Sequence, residues 1–276
     1  MARLLYVDLK RILKDKLFLV ACIIGFVFAI TTPLLYKFIF GVLDIDGTGL
    51  LGAMFTPSSM FFQCFSLSNN FGIILAVFVL IILFKDFSFG TIRNKIISGS
   101  SRNKIYFSSL LSTFIVITGL LFIHAIITGL LSYALFYDLA NEVNLEFIKY
   151  FALSILFEVL VLVFAASLIS FINMFAKNAG LAIVLFVAII LIGSAVASIL
   201  SVGLQFYEFS ENVDKNILNL LRFLLNSNIF YTNASVIGIT GSYQNYEIVY
   251  ILLSTIIYSG LFIGLSLLTV NKKDIK

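Results

Sequence analysis

The strongest constraint on this chain is a series of long segments without charge. Nothing charged lies between Ser66 and Phe84, and only His124 interrupts the uncharged run from Tyr106 to Phe136. A helix needs about 20 mostly apolar residues to cross the hydrocarbon of a bilayer. Six segments qualify, at 17–40, 66–84, 106–135, 148–174, 180–203 and 248–270. Their apolar residues run continuously, without the alternation of a lipid-facing strand, which disfavours a β-barrel. With 61% hydrophobic and only 12% charged residues, against about 25% charged in soluble domains, the chain carries more apolar surface than one globular core can hide. The expected fold is an all-α integral membrane protein, a single transmembrane domain over 1–276. Pro33 is expected to kink or end the first helix near its far side.

The basic residues orient the spans. Arg3, Lys10, Arg11, Lys14 and Lys16 precede span one, and Lys85, Arg93, Lys95, Arg102 and Lys104 follow span two. Lys177 lies between spans four and five, and Lys272, Lys273 and Lys276 follow span six. With six spans these segments share one side and hold 14 of the 18 Lys and Arg residues. Positive-inside bias places that side, with both termini, in the cytoplasm of a multi-pass plasma-membrane protein. There is no Trp, and tyrosines such as Tyr36, Tyr106, Tyr137 and Tyr250 fall near span ends, where an aromatic belt belongs.

Outside the spans, residues 2–16 carry Leu5, Leu9, Ile12 and Leu13 at helical spacing, with Asp8, Lys10, Arg11, Lys14 and Asp15 elsewhere on the wheel. This fits an amphipathic helix lying on the cytoplasmic membrane face, or a charged flank that only fixes topology. The large outer loop, 204–247, contains a stripe of Val213, Ile217, Leu220, Leu221 and Leu224, expected to form an interfacial or re-entrant helix. The first outer loop, 41–65, is apolar around Met54–Phe62; both outer loops are candidates for a lid, or for plain loop packing.

The loop at 85–105 is a polar island in which the tetrapeptide RNKI occurs twice, at 93–96 and 102–105. Phe89, Ile92 and Ile96 fall at i, i+3 and i+7, with Thr91 or Ser88 available as a cap and Gly99 as a stop. A helix of about two turns is too short to persist alone, so it is expected to dock in a groove of a cytoplasmic partner. A plain positive-inside loop would need the charges but not the apolar ridge.

At these residues the chain resembles the type-2 permease subunits of bacterial ABC exporters of the peptide and antibiotic export type. The run Asp86-Phe-Ser-Phe-Gly90-Thr91-Ile-Arg93-Asn-Lys-Ile-Ile-Ser-Gly99, followed by Ser101-Arg102 and Ile105-Tyr106, is similar to the family's coupling loop. The plan of six spans, an N-terminal amphipathic helix and a large outer loop before the last span resembles the family too. So do Phe175-Ala-Lys177-Asn178-Ala-Gly180 and the ending Asn271-Lys-Lys-Asp274-Ile-Lys276. One departure is that many members carry a lysine just inside span three, where this chain has Ser108 and Ser109. The resemblance implies a permease half that pairs with a second permease, identical or homologous, and with two copies of a separate ATPase. Asp86, Phe89, Gly90, Thr91, Ile92, Arg93, Lys95, Ile96, Gly99 and Arg102 would form the ATPase-docking loop. ATP and Mg would sit on that partner, and this chain would bind no cofactor or metal. Consistent with that division, the sequence has no G-x-x-x-x-G-K-[ST] phosphate loop.

Two titratable residues, one imidazole and one acid, lie deep in spans. His124 and Glu158 are equally far from the midpoint of the hairpin of spans three and four, so they are expected at one depth, as a hydrogen-bonded pair or with Glu158 bonded to a neighbouring Ser or carbonyl. Gly193 and Ala197 in span five, and Gly260-x-x-x-Gly264 in span six, give smooth faces for helix packing, within the subunit or between copies. The expected function is export of a hydrophobic or amphipathic cargo, such as a peptide toxin, an antimicrobial peptide or a lipophilic antibiotic, in a lipid setting and without nucleic acid. The alternative is an ion-coupled secondary transporter that uses Glu158 and His124. An intramembrane enzyme is disfavoured, because one His and one Glu supply no nucleophile–base or metal cluster.

Overall fold

Each uncharged segment becomes one long helix, because a bilayer leaves backbone N–H and C=O groups no partners except one another. A computed structural model describes residues 1–43, 55–67, 69–88, 91–140, 142–209, 214–231 and 245–272, and the described elements are helical throughout. In chain order they are α1 (Ala2–Lys14), α2 (Lys16–Leu43), α3 (Pro57–Gln63), α4 (Asn70–Ser88), α5 (Thr91–Ile97) and α6 (Arg102–Leu135). A 3-10 turn (Tyr137–Leu139) leads to α7 (Leu145–Phe175), α8 (Ala179–Glu208), α9 (Lys215–Asn226) and α10 (Asn245–Lys272). Five helices, α2, α6, α7, α8 and α10, are long and apolar enough to cross a membrane. The sixth span requires α4 to be taken together with α5, as a bent pair. The chain is thus a multi-span helical membrane protein with five to six crossings.

Side-chain caps set where several helices begin. The Asn144 carboxamide oxygen accepts from Phe147 N–H (2.7 Å) at the start of α7, and Asn178 does the same for Leu181 N–H (2.7 Å) at α8. Asp214 accepts from Asn216 N–H (2.8 Å) ahead of α9. Each satisfies an amide that has no partner within its own helix. α7 is the most buried of the five long helices and packs on α4, α6, α8 and α10. Phe62, Phe65, Leu75, Leu121, Leu162, Leu168 and Phe186 meet in the main core.

Pro33 does not end α2, which continues ten residues beyond it to Leu43. Proline removes the N–H that would bond the carbonyl four residues earlier, here Ala29. The Thr128 hydroxyl of α6 donates to Ala29 O (3.4 Å). One turn earlier on both helices, His124 Nδ1 lies 2.9 Å from Gly25 O. The numbers rise together, so α2 and α6 run in the same direction, with α4 returning between them. Thr128→Val, which keeps the shape and removes the donor, is expected to cost about 1 kcal/mol, whereas Thr128→Ser restores most of it. Thermal unfolding of the two variants in detergent checks this.

The flanking segments are placed as follows along the chain. α1 does not present only Leu5, Leu9, Ile12 and Leu13 to its support. It packs on α2 and α6 with Ile12 and Asp8 both buried and Leu13 exposed. The stripe of α9 is turned outward, with Ile217, Leu220 and Leu224 all exposed, as an interfacial helix requires; Val213 lies outside the described residues. Within 41–65, α3 is an inserted wedge. Thr56 caps it by accepting from Ser59 N–H (3.3 Å), Pro57 opens its first turn, and Met60 and Phe62 are buried. Residues 44–54 lie outside the described residues.

Candidate functional site

The groups that apolar helices cannot accommodate collect at one end of the bundle, where α1, the last turn of α4, α5 and the first turns of α6 meet. α5 is a two-turn helix stopped by Gly99, whose φ of 88° is left-handed and favours glycine. Gly99 N–H donates to Ile96 O (2.9 Å) and Ser100 N–H to Lys95 O (3.1 Å), the paired bonds of a Schellman stop. At its start, the Thr91 hydroxyl reaches the Asp86 carboxylate (2.7 Å) and the Asp86 carbonyl (2.8 Å). Thr91 therefore ties α5 to the end of α4 instead of capping its own helix.

Charges complete the site. The Asp86 carboxylate pairs with Arg11 of α1 and lies 3.9 Å from Lys95 Nζ. Asp8, only 2% exposed, accepts from Lys95 Nζ (2.6 Å) and from the Ser108 hydroxyl of α6 (2.6 Å). Asp15 accepts from Lys85 Nζ (2.6 Å) and from Leu17 N–H (2.9 Å). Burial pulls the Arg11 guanidinium below its ordinary pKa, while the charges of Asp8 and Asp15 push it back up. Burial would raise the Asp15 carboxyl, but the bonds from Lys85 and Leu17 and the charges of Lys85 and Arg11 hold it below its ordinary value. Three carboxylates, three cations and two donating hydroxyls thus join α1, α4, α5 and α6 into one ionic junction. Charge-assisted bonds of this kind are short and directional, so α5 cannot shift without dragging α1 and α6.

The expected docking residues divide between the inside and the outside of this junction. Ile92 is 6% exposed and Ile96 half-buried, because α5 lies against α4 and α6 and uses that face within the chain. The outward face presents Arg93, Asn94 and Ile97, the last 73% exposed. Phe89 and Gly90 lie outside the described residues. Arg102 turns away from α5 and donates to Val270 O (3.1 Å) and Asn271 O (3.0 Å), a cation on the carbonyl end of α10. The two RNKI copies therefore do different work: Lys95 of the first grips α1, and Arg102 of the second grips α10.

Within the spans, His124 and Glu158 are both buried, but the expected pair is not made. His124 bonds to Gly25 O and its ring lies 4.5 Å, centroid to centroid, from that of Phe71. Among the described residues no ion pair joins it to Glu158. Position along a hairpin sets depth, whereas the direction a side chain faces depends on the turn of each helix. Gly193 serves a close approach, but not between long helices. A Cβ there would lie 2.2 Å from the Phe230 ring, and Asn228 Nδ2 donates to Gly193 O (3.2 Å), so it seats the turn after α9. Ala197 is buried. At Gly260 and Gly264 a Cβ would meet nothing within 4 Å among the described residues, which leaves that face of α10 open.

Sequence reasoning missed Asp8, Arg11, Asp15, Lys85 and Ser108 as members of the site. A signal was present: Asp8, Arg11 and Asp15 are spaced three and four apart, which puts them on one helix face beside Ile12. No family model, curated protein or solved structure matches this chain.

Proposed function

We propose that this chain is the permease subunit of an ATP-driven exporter, which works with a second permease and two copies of a separate ATPase to move a hydrophobic or amphipathic cargo outward. The observation that carries the reading is the seating of α5. A helix of about two turns is too short to persist alone, yet here it is bonded to α4 and α1 through Asp86, Thr91, Lys95 and Asp8, and Asp8 carries the link on to Ser108 of α6. The first residue of α6, Arg102, is in turn bonded to α10. A partner that pushes on α5 moves four helices at once. α1 passes that motion to α2, because only Asp15 separates them. The density of Lys and Arg at this end supports its placement in the cytoplasm, where ATP is. Where many members of the resembled family carry a lysine, this chain has Ser108 and Ser109, and Asp8 is bonded by Lys95 and Ser108. The open Gly260–Gly264 face of α10 suits a second permease copy.

Arg93, Asn94 and Ile97 form the contact with the ATPase in this reading. Arg93→Glu with Ile97→Asp is expected to abolish co-purification of a Walker-motif ATPase from native membranes in mild detergent, while expression and thermal stability stay unchanged. A wild-type chain that brings down no ATPase would sink the exporter reading. The ion-coupled alternative would use His124 and Glu158; His124 is bonded to Gly25 O of α2, and no observation favours that reading.

A further inference from the structure

Between α2 and α6 lies a cavity of about 440 Å³, within the range of small-molecule sites. Its wall is apolar, with Ile23, Phe26, Leu120, Ile123 and Ile127, and a single imidazole, that of His124. Ile23, Phe26 and Ile123 are each more than half exposed on helices of membrane length. The mouth therefore opens towards lipid, and the occupant must arrive dissolved in the bilayer.

The imidazole defines what such an occupant carries. A carbonyl only accepts, so the 2.9 Å contact with Gly25 O requires Nδ1 to hold the proton. In the neutral ring Nε2 then presents a lone pair, and His124 has no second protein partner among the described residues. His124 is 7% exposed, and its ring is braced by Phe71. Gly25 lets the Phe71 ring come close: a Cβ there would lie 2.4 Å from it. Behind His124 and Phe71 a second cavity of about 40 Å³ is lined by Thr32, Gln63, Asn69 and Thr128, room for water beside a polar head group. Neither lining contains an Asp or Glu, so a cationic donor would lie there without a counter-charge, at high cost in an apolar medium.

We propose that the α2–α6 cavity binds a lipophilic alcohol, its hydrocarbon body against Ile23, Phe26 and Ile123 and its hydroxyl donating to His124 Nε2. The inference rests on this geometry alone and is independent of the exporter reading. The test uses the full chain in lipid nanodiscs and two diazirine-bearing probes, an eight-carbon alcohol and its methyl ether, with labelled positions read by peptide mass spectrometry. The alcohol is expected to label the cavity wall on α2 and α6 saturably, and the ether, which has no donor, about five- to tenfold less. His124→Phe is expected to reduce alcohol labelling to the level of the ether, and His124→Gln, which keeps an acceptor, to retain most of it. Equal labelling by the two probes in the wild-type chain overturns the proposal without recourse to any variant. So does alcohol labelling spread evenly over the lipid-facing sides of α8 and α10, which would mean partition into the bilayer only.

Discussion

Replacing Asp8 with alanine is expected to destabilise the chain by about 3–5 kcal/mol, the loss typical when one partner of a buried ion pair is removed. The carboxylate is nearly inaccessible and satisfies two groups at once, Lys95 Nζ and the Ser108 hydroxyl. Without it the Lys95 ammonium is left buried, with Asp86 3.9 Å away and already engaged by Arg11 and Thr91. α1 should lift from α6, and α5 should loosen with it. Two readouts check this in detergent: the thermal midpoint, and the rate of tryptic cleavage after Lys10, Arg11 and Lys14. Asp8→Leu combined with Lys95→Met removes both charges and leaves apolar packing, so it should recover most of the stability. That recovery separates the cost of a stranded charge from a general intolerance of change at residue 8. An Asp8→Ala variant within about 0.5 kcal/mol of wild type would mean that the ionic junction does not hold α1 in place.

How far the sequence discloses the fold depends on the length scale of each interaction. The long helices are legible because membrane solvation acts on whole segments of about 20 residues. The segments expected at 106–135 and 148–174 became Arg102–Leu135 and Leu145–Phe175, extended at their starts across the charged residues Arg102, Lys104 and Glu146 that a hydropathy reading discounts. Gly99 is legible because its stop is a property of one backbone position. The ionic junction is not, because it forms between residues separated by 70 to 100 positions, such as Lys85 with Asp15 and Ser108 with Asp8. Its acids and cations look like an ordinary solvated face until a second helix is placed against them. The same limit misdirected the reading of Ile92, whose apolar ridge is real but is used within the chain. It also misdirected His124, whose partner is a backbone carbonyl that leaves no trace in residue type.

Phe62→Ala is expected to cost a comparable amount, about 3–5 kcal/mol, and to unseat α3. Phe62 is fully buried and sits in an aromatic cluster, with Phe61 at 5.1 Å, Phe151 at 5.0 Å and Phe65 at 6.5 Å between ring centroids. Phe61 in turn packs against α6, where a Cβ added at Gly129 would lie 3.1 Å from its ring. In a membrane protein the surroundings are as apolar as the core, so transfer from water contributes little to this seat and close packing contributes most. The loss is therefore chiefly that of a cavity with no atoms to fill it. A lid and a wedge make opposite predictions here. A lid that opens in each transport cycle rests in a shallow well, and truncating one ring should change its opening rate while leaving the global unfolding midpoint in place. A wedge shared by α3, α6 and α7 should lower the midpoint and expose Cys64, now buried beside Met60, to a thiol-reactive dye well below that midpoint. The Cys64 Sγ–Met60 O contact of 3.2 Å and the Ser132 Oγ–Met60 Sδ contact of 2.9 Å place α3 among the structural parts of the bundle. The aromatic wedge, not a hinge, is what the labelling should find.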